Sequence, residues 1–314
     1  MVSELRAMRR KLIGKLTKRS VRAPELERTV GDLARVLSAQ EKLLKEQSKL
    51  LFDLRWEAQQ NRKYQNAIWL SATRGICDEV DAFVAAHQLG LMETVERIAS
   101  TGESFARFGD GELRLMLRHS YQLKFQKNSP ALRSSLQKVL KSPHPSVLLG
   151  FPSVYRDLHG SAVWSDIWPQ VAPLVEGKQT FGNSHVSRPL FFQQYGSDGV
   201  DAWRAVWENQ DVCVITGRDS RFEAVPALFS SARSVRAVES LAMNAFDDIE
   251  RLLDPGVLGS ADVFLISLGP AGTVLADRLA AVGHRALDVG HISDSYLNVF
   301  EGGAWPESKP ATRS

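Results

Sequence analysis

The chain has 314 residues, 44% apolar and 24% charged, with a net charge of +3. Those proportions fit a soluble globular protein with room for a sizeable core. Two cysteines, Cys77 and Cys213, exclude a disulfide scaffold, and no apolar run reaches the roughly 18 residues that span a bilayer. The N-terminus lacks the apolar stretch of a secretory signal, so a reducing, cytoplasmic setting is expected.

Residues 1–24 carry eight Lys or Arg before residue 23 and one acid, Glu4. Leu5, Met8, Leu12 and Leu16 share a helical face with basic residues around it. This pattern fits peripheral contact with the inner face of an anionic membrane, and it fits a frayed, solvated terminus equally well. Residues 25–74 read as a coiled-coil helix. One seam position takes Val30, Leu37, Leu44, Leu51 and Ala58; the other takes Leu26, Leu33, Gln40, Gln47, Leu54 and Asn61. A repeat of seven held this long predicts a homo-oligomer, with a helix folded back on the rest of the chain as the alternative.

From residue 75 to 305 short apolar runs alternate with amphipathic stretches. Strands are predicted at Ser104–Phe108, Val147–Phe151, Gln179–Gly182, Val212–Thr216, Val235–Val238, Val263–Leu268 and Ala286–Val289. Helices are predicted at Asp81–Leu89, Leu91–Ala99, Glu112–Arg118, His185–Gln193, Val200–Glu208, Phe222–Ser230, Ala245–Leu253 and Thr273–Val282. The alternation implies an α/β, Rossmann-like, mostly parallel sheet flanked by helices, with ligands beyond the carboxyl ends of the strands. Residues 306–314 read as a disordered tail.

The strand-exit loops hold the candidate chemistry. Arg107-Phe108-Gly109-Asp110-Gly111-Glu112 follows the first strand. Gly109 and Gly111 allow a tight turn, and Asp110 and Glu112 offer hard oxygens of the kind Mg²⁺ or Mn²⁺ shares with substrate phosphates. Arg107 is a bidentate donor suited to a diphosphate. A plain turn with Asp110 capping the helix is the alternative. Gly269, Pro270, Gly272 and Thr273 form a second turn, opening a helix whose free amides suit a phosphate or simply cap the helix. Asp288 follows Gly269 by nineteen residues, as a ribose-binding acid would, although the glycine spacing is not that of a dinucleotide site. His291 is a possible third metal ligand or phosphate donor, or an ordinary loop residue. Ser187, Arg188, Arg218 and Arg221 lie on further loops, which together suggest an anionic ligand. Asn244 offers an amide to a base or ribose, or caps a helix. Aromatic residues are not interleaved with Lys and Arg, which argues against nucleic acid.

In order along the chain, Phe105–Glu112, Gly182–Pro189, Gly217–Arg221, Asn244-Ala245-Phe246 and Ser267–His291 resemble the GT-D fold glycosyltransferases. In that resemblance Asp110-Gly111-Glu112 matches the family's Asp-x-Glu motif. It implies metal-dependent transfer of a sugar, typically a hexose from a UDP-sugar, to a hydroxyl on a glycan, glycolipid or glycoprotein in bacterial surface-glycan assembly. Ser293-Asp294-Ser295-Tyr296 stands where members commonly carry an acidic and aromatic run. Two other readings remain: a Rossmann-type dehydrogenase or methyltransferase using the Gly269 turn, or a non-catalytic coiled-coil scaffold.

Overall fold

The computed structural model describes residues 23–177 and 180–309. The basic segment 1–22, Gln179 and residues 310–314 lie outside the described residues. Two compact units divide the chain, Met1–Ile68 and Trp69–Ser314.

A single 65-residue helix, Ala23–His87, begins in the first unit and ends in the second. In the first unit it is the predicted apolar stripe on display, with Leu33, Leu37, Leu44, Leu51 and Leu54 all exposed. The helix does not stop at residue 74. Gly75 lies on its solvent side, and a lone glycine costs about 1 kcal/mol in a helix. That is too little to end it once Cys77 and Val80, in the next turn, are packed into a core. No described helix is long and apolar enough to cross a membrane.

The second unit is built on seven described strands: β1 (Ser104–Arg107), β2 (Val147–Phe151), β3 (Gly182–Asn183), β4 (Asp211–Gly217), β5 (Ser234–Ser240), β6 (Val263–Ser267) and β7 (Ala286–Asp288). They run parallel in the order β3-β2-β1-β7-β6-β4-β5. Side chains alternate between the two faces, as the two-residue period of a strand requires. Ala106, Leu149, Cys213, Ile215, Phe264 and Ile266 join one core with the helices Asp110–Leu117, Pro130–Lys141, Leu158–Val175 and Pro270–Ala281. Phe105, Leu148, Val212, Val214, Leu265 and Leu287 join the other with Leu91–Thr101 and Pro189–Val206. Burial on both faces explains why these strands read as continuous apolar runs. The chain steps outward from β1 to β3, restarts at β4 and β5 near the opposite edge, and returns through β6 and β7 to fill the place beside β1. The loops leaving β1 and β7 therefore border one crevice.

Several boundaries differ from the sequence expectation. The helix expected over Phe222–Ser230 shortens to Pro226–Phe229, because proline fits only the first turn. The two helices expected over 185–193 and 200–208 become a short 3-10 turn, Ser184–Ser187, and one helix, Pro189–Val206, kinked at Gly196. The helices Pro130–Lys141 and Leu158–Val175 had no counterpart in the sequence reading. Each is opened by a side-chain cap: Ser129 accepts from the Leu132 N–H at 3.1 Å and Asp157 from the Gly160 N–H at 2.7 Å. The tail is ordered further than expected. Pro306 is buried and Pro306–Ser308 forms a 3-10 turn against the domain.

Candidate active site

β1 delivers Arg107 to the floor of the crevice. Its Nη2 donates to Asp288 Oδ1 at the end of β7 (3.1 Å), and its Nη1 donates to Ser187 Oγ (2.9 Å) and the Ser184 carbonyl (3.1 Å) after β3. Three strand ends are thus joined by one guanidinium. Gly290 makes room for it. With φ at +48°, a Cβ there would lie 2.1 Å from Nη2 of Arg107. The Arg107–Asp288 pair is largely buried, with side chains 15% and 4% exposed. Burial nevertheless pushes the Asp288 carboxyl above its ordinary value, against the pull of Arg107.

Asp110 and Glu112 lie in the first turn of the helix after β1 and separate in environment. Glu112 turns back so that Oε2 accepts the Gly109 N–H at 2.9 Å, half of a capping box. Burial, and then the Asp288 charge, push its carboxyl up. Asp110 stays at the rim, about half exposed, with His159 Nε2 at 4.0 Å. Gly109, not Asp110, occupies the cap position. Gly111, the second glycine of the loop, is the helical residue between the two acids. Tyr121 lies near both acids, and its phenol is raised by burial and by their charges.

The other predicted residues divide into those at the crevice and those absorbed by packing. Arg188 caps the Ser184–Ser187 turn and pairs with Glu307 of the tail. Beside it, the His185 imidazole is lowered to about 4 by burial, then by Arg188 and Arg107. Arg221 Nε binds Asp294 Oδ2 at 2.7 Å and its Nη2 lies 3.2 Å from His291 Nδ1. Arg218, one turn earlier, is exposed at the exit of β4. His291 lies among the cations of the crevice. Burial and the cations Arg188, Arg221, Arg107 and Lys309 lower its imidazole to about 3, which keeps the ring neutral. Among the described residues no group of three or more His, Cys, Asp or Glu side chains could hold an ion, so Asp110, Glu112 and His291 do not form a three-ligand cluster.

The Gly269 turn is filled by protein. Gly269 has φ at +55°, and a Cβ there would meet the Phe125 ring at 2.7 Å. Pro270, Gly272 and Thr273 are buried, and Thr273 Oγ1 donates to the Arg107 carbonyl at 2.7 Å. The Phe125 ring thus packs against the outer side of Gly269 at this helix start. Asp288 is likewise bonded to Arg107 and to the Gly290 N–H (3.1 Å) and is buried. Asn244 is used internally: its Oδ1 accepts the Lys127 N–H at 2.9 Å, and its own N–H binds the Phe125 carbonyl at 2.8 Å. Sequence reasoning missed the loop that does this, 119–128, because its Tyr121, Phe125 and Gln126 follow neither a helical nor a strand period.

The family profile described as "Glycosyltransferase GT-D fold" matches residues 105–306. The chain is 25% identical over 220 residues to "Glycosyltransferase GlyD" of Streptococcus pneumoniae serotype 4 (strain ATCC BAA-334 / TIGR4), covering 66% of this chain and 27% of that protein. It is also 25% identical over 222 residues to "Probable glycosyl transferase Gly" of Streptococcus gordonii, covering 66% and 32%. The chain thus spans about a quarter to a third of the length of these relatives. A solved structure described as "The highly conserved domain of unknown function 1792 has a distinct glycosyltransferase fold" superposes with a TM-score of 0.62 at 23% identity, covering 75% of this chain and 87% of that one. "A New Glycosyltransferase (DUF1792) from Streptococcus sanguinis" gives 0.59 at 24% identity, covering 69% and 85%. The match runs from β1, through every strand of the sheet, to the end of the crevice: the chain belongs to the GT-D fold glycosyltransferases.

Proposed function

We propose that the domain transfers a sugar from a nucleotide diphosphate sugar, a UDP-hexose being the first candidate, to a hydroxyl of a bacterial surface glycan, glycolipid or glycoprotein. The observation that carries this reading is the pair Asp110 and Glu112, in the first helical turn after β1, at a crevice otherwise rich in guanidinium groups. The donor set fits a hard cation shared with substrate rather than caged by protein. It is all oxygen, and the Glu112 carboxyl is raised by burial and by Asp288, a strain that positive charge relieves. Asp110 and Glu112 would hold Mn²⁺ or Mg²⁺; when bound, the ion would offset charge developing on the departing diphosphate. Arg107 works at one remove, holding Asp288 and the 184–187 turn in place. Arg188 and Arg221 supply the fixed positive field at the crevice. Asp294 is tied by ion pairs to Arg221 and Lys309.

Purified protein is expected to release UDP from a UDP-sugar in the presence of Mn²⁺ or Mg²⁺. Asp110→Ala should lower that rate at least about 100-fold, the scale of lost electrostatic stabilisation of a leaving group. Full activity in Asp110→Ala would reject the metal role. A dehydrogenase or methyltransferase reading has no support at the Gly269 turn, which Phe125 covers. We also propose that residues 25–74 assemble copies of this chain, because the seam leucines there are exposed. Peripheral membrane contact through residues 1–22, at the cytoplasmic face, rests on their charge pattern alone.

A further inference from the structure

After the helix Ile292–Phe300 the chain doubles back. The Gly303 N–H donates to the Leu297 carbonyl at 3.0 Å and Asn298 Nδ2 donates to the Gly303 carbonyl at 2.7 Å. Buried Pro306 then starts a 3-10 turn that presents two charges to the crevice. Glu307 pairs with Arg188, in the loop after β3, and Lys309 Nζ donates to Asp294 Oδ1 at 2.7 Å, in the first turn of the helix after β7. The tail therefore spans the exits of β3 and β7, which Arg107 also joins, across the places of β2 and β1 in the sheet.

The crevice arginines are not equivalent. Arg107 has Asp288 and two further acceptors after β3, and Arg221 has Asp294 and His291. Both sets come from the strand ends of the sheet and the turns and helix that follow them. Among the described residues Arg188 has one ion-pair partner, Glu307, which lies just past the family-matched residues 105–306. The Arg188 side chain is 32% exposed, and the neighbouring Arg107 charge acts against it. His185, next to it, keeps a buried Nδ1 with no hydrogen-bond partner. A guanidinium this far out of water needs an anion, and its planar fork fits a phosphate as well as a carboxylate.

We propose that Arg188 is an anion subsite for a substrate phosphate, and that Glu307 is a built-in occupant which the phosphate must displace, making residues 303–309 a competitive strap across the crevice. This deepens the nucleotide-sugar reading by naming a phosphate-binding group and its rival. The strap leaves when Glu307 is displaced, because Pro306 and Lys309 follow it in the same short turn.

Calorimetric titration of the full chain with inorganic pyrophosphate at low salt tests the idea without metal or sugar. Glu307→Gln is expected to tighten pyrophosphate about tenfold, the worth of one charge-assisted contact removed from competition. Arg188→Gln is expected to abolish binding, and Lys309→Ala to tighten it less than Glu307→Gln. In the native chain, pyrophosphate should speed amide hydrogen exchange over residues 303–309. Unchanged affinity in Glu307→Gln overturns the proposal, as does unaltered exchange in the tail at saturating pyrophosphate. Should Arg188→Gln fail to fold, the Glu307→Gln comparison and the exchange measurement decide alone. Absence of sugar transfer together with the Glu307→Gln gain would reject the donor reading and leave the strap standing.

Discussion

Charge at the crevice is set by how little water reaches it. His185 shows the effect most directly. Burial, then Arg188 and Arg107, bring its imidazole to about 4, so the ring is neutral in the folded state at every pH above that. In the unfolded chain it protonates near pH 6.5. The unfolded state therefore binds more protons between about pH 6.5 and 4, and the stability His185 confers is whole above pH 6.5 and lost as pH falls through that window. His185→Gln cannot protonate. The advantage of the native chain over this variant, measured as the urea midpoint, should shrink steadily from pH 7 to pH 4; a constant gap would contradict the neutral assignment. At this scale the sequence was legible only in part. Asp110, Glu112, Arg107 and Asp288 lie at strand exits that border one crevice, where residue type and position speak together. Their partners were not. Nothing in the spelling of Arg107 announces that Asp288, 181 residues later, will occupy its fork. Phe125 and Glu307, which pack at the site, lie in aperiodic stretches where propensity is silent.

Among elements, the strands were the easiest to see. All seven were predicted within a few residues; β1, β2, β4, β6 and β7 are buried and read as apolar runs between polar stretches, while β5 is an exposed edge strand and β3 only two residues long. Helices were harder where tertiary packing overrode local preference. Leu158–Val175 holds Pro169 and Pro173 and is apolar around most of its circumference, which hides the helical period. The kinked helix Pro189–Val206 depends on one residue to anchor it. Trp203 is fully buried, stacks on Trp207 at 5.5 Å between ring centroids, and donates its indole N–H to the Val186 carbonyl at 2.9 Å. That bond fastens the helix to the 184–187 turn and so to the loop that carries Ser187 and Arg188. Trp203→Ala is expected to cost about 3–5 kcal/mol in chemical denaturation. It should also weaken pyrophosphate binding at temperatures where the domain is still folded. A loss below about 1 kcal/mol would mean that the helix is held elsewhere.

For the molecule as a whole, the long helix raises the question of which way two copies would lie. The seam holds Gln40, Gln47 and Asn61 at one position and Val30, Leu37, Leu44, Leu51 and Ala58 at the other. Parallel chains in register set each amide beside its own copy, where the two can hydrogen-bond. Antiparallel chains would face every amide with an apolar residue. The flanking positions agree, since Glu57 of one copy then meets Arg62 of the next. Val36, Leu43 and Leu50 widen the exposed stripe beyond a minimal two-chain seam. Light scattering on the full chain should give a multiple of 34.9 kDa. Leu44→Glu combined with Leu51→Glu should return it to a single copy without loss of donor turnover. A single copy in the native chain would remove the assembly proposal.

The strand order also sets a schedule for synthesis. β7 is the last of the described strands and the one that slots between β1 and β6, so until residue 288 has emerged the nascent sheet is two separate pieces with raw edges. Ribosomes stalled before that point would present aggregation-prone halves and no working crevice, which makes the final strand the keystone of assembly.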